Sequence, residues 1–258
     1  GHSMEDRAGT EAGKAQADEM EEELDDFDDD RGWIQDLRRV ARRLRTEEGL
    51  CDLSMRQRRF RRSDGGQFLG LQSFCDALAH NTTLRTLNLY DTEFGDVGTL
   101  AISGALRENN TLRGLTLGWN RIGPAGCVAL CDSMKVNTGV KSLRMWGNPV
   151  GESGRASLAE MLHINTTLEE LDVGKLQCGP LDPIFASLRV NTSLQSLSLF
   201  SSQCTLRDCE VLGCVLRVSH TLRVLDIGKN PIGDEGCSAL CEALRGNTAL
   251  HTLRLYQC

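Results

Sequence analysis

The sequence predicts an α/β fold, a right-handed αβ horseshoe with parallel strands on its concave side and helices on its convex side. A strand-and-helix pattern recurs every 28 residues, apart from one repeat of 26. Apolar residues at its start alternate as in a half-buried strand, and later ones recur at three- and four-residue spacing as in a helix. Because one such unit cannot bury its apolar face alone, the copies must stack into a solenoid. The copies open at Leu84, Leu112, Val140, Leu168, Leu194, Leu222 and Leu250.

The first thirty residues form a strongly acidic segment. They open with Gly-His-Ser-Met, which is typical of a tag remnant, and they carry 13 acidic residues against two basic ones. So few apolar residues cannot offset the entropy lost on folding, so residues 1–30 are predicted to be disordered. Leu24 and Phe27 are the exceptions, and they leave open a short docking motif or an intramolecular mask as alternatives to a solvating tail.

Residues 31–83 are predicted to form a basic amphipathic helix followed by an atypical capping first repeat. Between Arg31 and Arg62 there are 11 arginines and four acids. Trp33, Leu37 and Leu44 fall on one side of a helix with arginines opposite, which suits a cap on the solenoid. The arginines also allow a basic surface for an acidic partner, for anionic lipid or for nucleic acid, of which nucleic acid is the least favoured. The insertion at 56–66 is predicted to be a mobile loop.

Residues 84–258 contain six repeats of 26–28 residues and a final strand, whose open edge we expect to be covered by further chain or another molecule. The ninth residue of a repeat should point inward and satisfy backbone groups of the turn. Leu176 replaces the usual polar residue in the 26-residue repeat, where Pro180 and Pro183 predict a shorter or displaced helix. Asparagine occupies this position at Asn120, Asn148 and Asn230.

Three phrases in these repeats carry a family resemblance. They are L-x-x-L-x-I-x-x-N from Leu222, the I-G-x-x-G that follows it, and the N-T-x-L that links one repeat to the next. They resemble the leucine-rich repeat family, in particular its ribonuclease-inhibitor-like subclass, which includes the sensor horseshoes of NOD-like receptors. The resemblance covers about two thirds of the chain. It implies a horseshoe that binds proteins through its concave surface, with cysteine accepted at the ninth position, as at Cys258.

The placement of the cysteines and the lack of a long apolar run predict a reducing compartment. Eleven cysteines fall mostly within repeats, and the pairs Cys127/Cys131 and Cys237/Cys241 occupy equivalent helix positions that favour small buried residues. They are predicted to be reduced, in the cytoplasm or the nucleus. No apolar run is long enough to span a membrane. No nucleotide, hydrolase or zinc-protease motif is present, so the chain is predicted not to be an enzyme and to need no cofactor or metal.

Aromatic residues concentrate where the concave surface is expected. Aromatics make up 5% of the chain, yet both tyrosines and two of the three tryptophans occupy the seventh or eighth position of a repeat. Rings beside arginines are enriched at interface hot spots. The alternative is that they cover turn backbone or pack on a neighbouring strand. The predicted partner-binding residues are Tyr90, Arg113, Trp119, Arg144, Trp146, Phe200, Arg254 and Tyr256.

Three functions therefore stand. The favoured one is a scaffold or sensor fragment that binds a protein partner on the concave face. The second is a GTPase-activating horseshoe resembling Ran-activating proteins, which stimulated GTP hydrolysis would reveal. The third is an actin-end capping module resembling tropomodulin, suggested by phrases such as Ala159 to Leu168, which altered pointed-end elongation would reveal.

Overall fold

The computed structural model describes residues 33–34, 37–60, 68–176, 179 and 181–258. The predicted acidic segment at 1–30 and the later part of the insertion, from residue 61, lie outside the described residues. In chain order the strands are β1 Trp33–Ile34, β2 Asp52–Ser54, β3 Arg59–Phe60, β4 Thr86–Asn88, β5 Gly114–Thr116, β6 Ser142–Arg144, β7 Glu170–Asp172, β8 Ser196–Ser198, β9 Val224–Asp226 and β10 Thr252–Arg254. The helices are α1 Leu37–Thr46, α2 Leu71–His80, α3 Gly95–Glu108, α4 Pro124–Met134, α5 Gly151–Ile164, α6 Asp182–Leu188, α7 Leu206–Leu216 and α8 Gly233–Leu244.

Eight of these strands form one open, wholly parallel sheet in the order β10-β9-β8-β7-β6-β5-β4-β2. The register aligns the fourth position of every repeat, so that Leu87 pairs with Leu115 and Leu115 with Leu143. From β4 to β9 each strand is followed by a helix, and successive helices pack on one another, as expected when a period-two pattern gives way to a period-3.6 pattern. The predicted αβ horseshoe is therefore confirmed.

The core is a line of inward leucines between sheet and helices. Leu87 and Leu197, which the repeat pattern places inside, are buried. Among the ninth-position residues, Asn148 accepts hydrogen bonds at Oδ1 from the backbone N–H groups of Asn120 and Ile122, both at 2.9 Å. Its Nδ2 donates to the Leu117 carbonyl at 2.9 Å, one repeat earlier. The asparagine ladder predicted for the turns is therefore present.

A second asparagine ladder runs through the links between repeats. Asn137 is buried, its Nδ2 donates to the carbonyls of Leu106 and Asn109, and its Oδ1 accepts from the backbone of Gly139 and Val140. These bonds satisfy backbone groups that the turn would otherwise leave unpaired. The equivalent residues are Asn81, Asn109, Asn165, Asn191 and Asn247.

Three expectations differ from the structure. Helix α1 begins at Leu37 rather than near Trp33, because Trp33–Ile34 pairs in parallel with Arg59–Phe60 as a second, two-stranded sheet. The insertion at 56–66 was expected to be mobile, but in its described part, residues 56–60, Phe60 is buried with its ring centroid 4.8 Å from that of Phe94. Cys241 is exposed, since no helix in the described chain covers the far side of α8.

The 26-residue repeat is the least regular one. Its helix α6 has seven residues, against 11 in α4 and 14 in α5, as the two prolines predict. Leu176 is buried at the ninth position, and its backbone N–H donates to the Ser202 hydroxyl at 3.2 Å. A serine of the next repeat thus does part of the work that asparagine does elsewhere.

Candidate protein-binding surface

The seventh position of each repeat lies just beyond the strand, on the concave side. From one repeat to the next it alternates strictly between an aromatic residue and glycine. Because parallel strands are about 4.8 Å apart, consecutive aromatic residues are about 10 Å apart at the backbone. The seven residues, in order, are Tyr90, Gly118, Trp146, Gly174, Phe200, Gly228 and Tyr256.

The rings use the space above two of the glycines to reach each other. A Cβ placed on Gly118 would lie 2.8 Å from Cε2 of Trp146, so the indole covers this glycine. From there Trp146 stacks on Tyr90, with ring centroids 5.5 Å apart and 24° between the planes. The two rings meet across the strand between them only because the intervening residue, Gly118, has no side chain.

The same arrangement recurs at the other end of the sheet. A Cβ on Gly228 would lie 2.8 Å from Cε1 of Tyr256, whose ring covers it. Tyr256 stacks on Phe200 with centroids 5.7 Å apart and 29° between the planes. The four rings Tyr90, Trp146, Phe200 and Tyr256, called the aromatic row below, therefore form two pairs.

Trp119 lies beside the row at the eighth position, where the backbone is left-handed, with φ of 55°. Left-handed backbone is uncommon for a residue other than glycine, asparagine or aspartate. The indole lies over Gly147, whose added Cβ would be 2.9 Å from Cε2 of Trp119, and 44% of the residue remains exposed. Lys175 Nζ lies 4.7 Å from the Trp119 ring centroid, and Lys229 Nζ lies 5.6 Å from that of Phe200. Both distances suit cation–π interactions.

Carboxylates at the fifth position hold the glycine backbone under the row. Asp172 Oδ1 accepts from the Gly174 N–H at 3.0 Å, and Asp226 Oδ1 accepts from the Gly228 N–H at 2.9 Å. Burial raises the pKa of Asp172, against the hydrogen bonds from Gly174 and Ser198 and the positive charge of Arg144, which lower it. These acids fix the turn on which the rings lie.

The predicted arginines are placed differently from one another. Arg144 and Arg254 are exposed near the ends of their strands, with Arg144 Nη2 3.5 Å from Glu170 Oε2 and Arg254 Nη1 3.7 Å from Asp226 Oδ2. Arg113 lies at the opposite end of its strand, about 16 Å from the seventh position by strand rise. Its guanidinium donates to the carbonyls of Asn110 at 2.8 Å and Gly139 at 2.9 Å. The structure therefore brings Arg144 and Arg254, but not Arg113, to the aromatic row.

The glycines and the lysines of this surface were missing from the predicted site. The alternation at the seventh position is visible in the sequence and was the available signal for the glycines. Within the described residues no group of histidine, cysteine and carboxylate side chains could hold a metal ion. A search of the same residues for a helix with the length and apolar character of a membrane span found none.

Comparisons with known proteins agree with this architecture. A family model described as leucine-rich repeat matches residues 80–103, 108–131 and 218–241. NACHT, LRR and PYD domains-containing protein 13 of Homo sapiens is 41% identical over 70 residues, which cover 27% of this chain and 7% of that protein. This chain thus matches only a small part of that relative.

Two solved structures were also found. Leiomodin-1 Actin-Binding Site 2 gives a TM-score of 0.48 at 22% identity, covering 56% of this chain and 81% of that one. The tropomodulin C-terminal domain of Caenorhabditis elegans gives 0.44 at 12% identity, covering 68% and 92%. The matched repeats, the sequence relative and the stacked strand-and-helix units lead to one conclusion: the chain contains leucine-rich repeats, and they are similar to repeats of the NACHT, LRR and PYD domains-containing proteins.

Proposed function

We propose that the chain is a protein-interaction scaffold that binds a protein partner on its concave face, through the aromatic row and Trp119. The observation that carries the proposal is the alternation of rings and glycines at the seventh position. Glycine keeps the rings at the surface as stacked pairs, whereas a larger residue would displace them. Leucine-rich repeats generally serve as binding scaffolds rather than as enzymes, which agrees with this role.

The energetics favour binding by these rings. Tyr256 is 46% exposed and Trp119 44%, so a partner can still remove ring surface from water. Stacking holds the rings in place before binding, so less side-chain entropy is lost when a partner docks. Large aromatic residues with arginine at their rim are the residue types enriched in interface hot spots, and Arg144 and Arg254 supply that rim.

Trp119 gives the sharpest test, because its left-handed backbone suits asparagine better than tryptophan. In Trp119→Asn the relief of backbone strain opposes the loss of the Lys175 contact, so stability should stay within about 1 kcal/mol of wild type. Loss of a hot-spot ring costs about 2 kcal/mol or more, which weakens binding about thirtyfold. The measurement is quantitative affinity capture from native lysate, paired with thermal unfolding of each bait.

The matched control is Leu100→Asn, which removes an equally exposed apolar side chain from helix α3 on the convex side. Partners that bind the concave face should be recovered with wild type and with Leu100→Asn but be depleted with Trp119→Asn. If all three baits recover the same proteins in the same amounts, the concave rings are structural and the proposal fails.

The compartment we propose is the cytoplasm or the nucleus. The ten cysteines in the described part of the chain are free thiols, and several are buried within the repeats. Proteins that keep many unpaired cysteines belong to reducing compartments, which supports this placement.

A further inference from the structure

Helix α1 has one apolar side and one strongly basic side. Leu37, Val40, Ala41 and Leu44 are buried against the repeat array. The opposite side is exposed to solvent and is called the arginine face below. It consists of Arg38, Arg39, Arg42 and Arg45.

The arginine face concentrates like charge. Arg39 and Arg42 are three residues apart, and like charges at this spacing destabilise a helix. The first turn of α1 carries no acidic residue, and Arg39 lies near this positive end of the helix dipole. The ion pair of Arg43 with Glu47 lies at the other end of the helix. An anionic ligand along this face would relieve both effects.

The chain itself supplies such a ligand within reach. Residues 1–30 carry 13 acidic residues, and the densest run ends at Asp30, three residues before the paired strand residue Trp33. An extended chain covers about 3.5 Å per residue, whereas the ten residues of α1 extend only about 15 Å. A short tether also gives an effective concentration in the millimolar range. The charges are opposite, and no long loop has to be closed.

We propose that the acidic segment 18–30 binds in cis to the arginine face of α1, so that an external acidic partner must displace it. The proposal is independent of the concave face, since α1 packs on α2 in the helix layer. It concerns the Arg31 to Arg62 region, for which an acidic partner was predicted. The arginine face then binds acidic peptides, and segment 18–30 of the same chain is the peptide that occupies it in the absence of an external partner.

The test uses the full chain and a fluorescein-labelled synthetic peptide of residues 18–30, followed by fluorescence anisotropy at low salt. In a tail variant, five acids of the segment become amides. In a charge-matched control, five exposed acids of the repeats become amides instead, leaving the tail intact. The tail positions are Glu21, Glu22, Glu23, Asp25 and Asp26. The control positions are Glu108, Glu152, Glu210, Asp234 and Glu235.

If the segment occupies the face, the tail variant should bind the peptide at least about tenfold more tightly than wild type, because the resident competitor has been weakened. The control variant should gain less than about threefold, since it changes only the net charge. Adding Arg39→Gln and Arg42→Gln should abolish peptide binding in the tail variant. These two side chains are exposed, so the helix should remain folded, which circular dichroism verifies.

Three results would overturn the proposal. One is equal peptide binding by wild type and the tail variant. Another is a gain in peptide affinity in the control variant as large as that in the tail variant, because the gain would then be explained by net charge alone. The third is unchanged binding after the two arginine substitutions in a protein that still melts cooperatively.

Discussion

The ring of Trp146 reaches the ring of Tyr90 across an entire strand, at 5.5 Å between centroids, because Gly118 lies beneath it. The seventh-position residue between the two rings is this glycine, so no side chain separates them. The stack is therefore a property of three repeats rather than of one. Its dependence on the glycine can be tested directly.

Gly118→Ala should break this stack. The added methyl would lie 2.8 Å from the Trp146 indole, closer than real contacts allow, so the ring must move. We expect a loss of about 1–3 kcal/mol from overpacking and from the lost ring contact. Urea unfolding measures the loss, and near-ultraviolet circular dichroism reports the changed environment of the indole.

Gly104→Ala is the control for that substitution and should have the opposite sign. Gly104 lies in helix α3, and a Cβ there would meet no atom within 4 Å. Replacing a helical glycine by alanine usually stabilises by about 0.5–1 kcal/mol. If both variants change stability alike, the space above Gly118 has no special role.

Asn148→Ala should be among the most damaging single substitutions in the turns. It would leave the buried N–H groups of Asn120 and Ile122 without their acceptor and the Leu117 carbonyl without a donor. Each unsatisfied buried group costs about 1–3 kcal/mol, so a total loss of about 3 kcal/mol or more is expected. Asn110→Ala is the comparison, since the Asn110 carboxamide is exposed while it accepts from Thr138. A loss under about 1 kcal/mol at Asn148 would contradict the ladder.

Alkaline pH should destabilise the fold through Cys75. Burial, with the nearby Asp76 charge, raises the pKa of this thiol from 9.0 to about 12. The unfolded chain then releases the proton first, so stability is complete below pH 9 and falls as the pH rises toward 12. Cys75→Ala should flatten this decline by up to about 1.4 kcal/mol per pH unit in urea titrations.

Backbone amides of helix α6 should exchange with solvent faster than those of α4. Helix α6 has seven residues against 11, and Leu176 replaces the asparagine that ties the neighbouring turns together. In a solenoid each repeat is held only by its neighbours, so a weak unit opens locally. Hydrogen–deuterium exchange with peptide mass spectrometry measures the difference. Equal protection of the two helices would contradict the expectation.

The sequence permits most of the fold to be predicted because its signals are local. Alternation places Leu87 and Leu197 inward, and the recurring asparagines mark the turns that they later satisfy. The N-terminal cap was harder. Trp33 fits the apolar side of a helix by spacing, but strand pairing with Arg59 takes precedence, and nothing local to Trp33 reports that partner.

The candidate protein-binding surface was predictable in outline only. The repeat register identified the rings at the seventh and eighth positions, but their pairing depends on which glycine each ring covers and on its side-chain rotamer. Arg113 shares the concave face in sequence, yet its guanidinium is bound to two turn carbonyls at the other end of the strand. The repeat register predicts which face of the sheet a residue occupies. It does not predict which groups the end of a long side chain contacts, because those groups come from neighbouring repeats.

The 26-residue repeat lies between the two ring pairs, with Trp146 before it and Phe200 after it. Because its helix is short and its ninth-position asparagine is missing, we expect the solenoid to bend most easily there. The distance between the two ring pairs should therefore vary with the curvature of the solenoid, whereas the stacking within each pair should stay constant. A partner that contacts both ring pairs would bind only those molecules whose solenoid has the matching curvature. Restricting the protein to that curvature would cost free energy and so reduce the affinity.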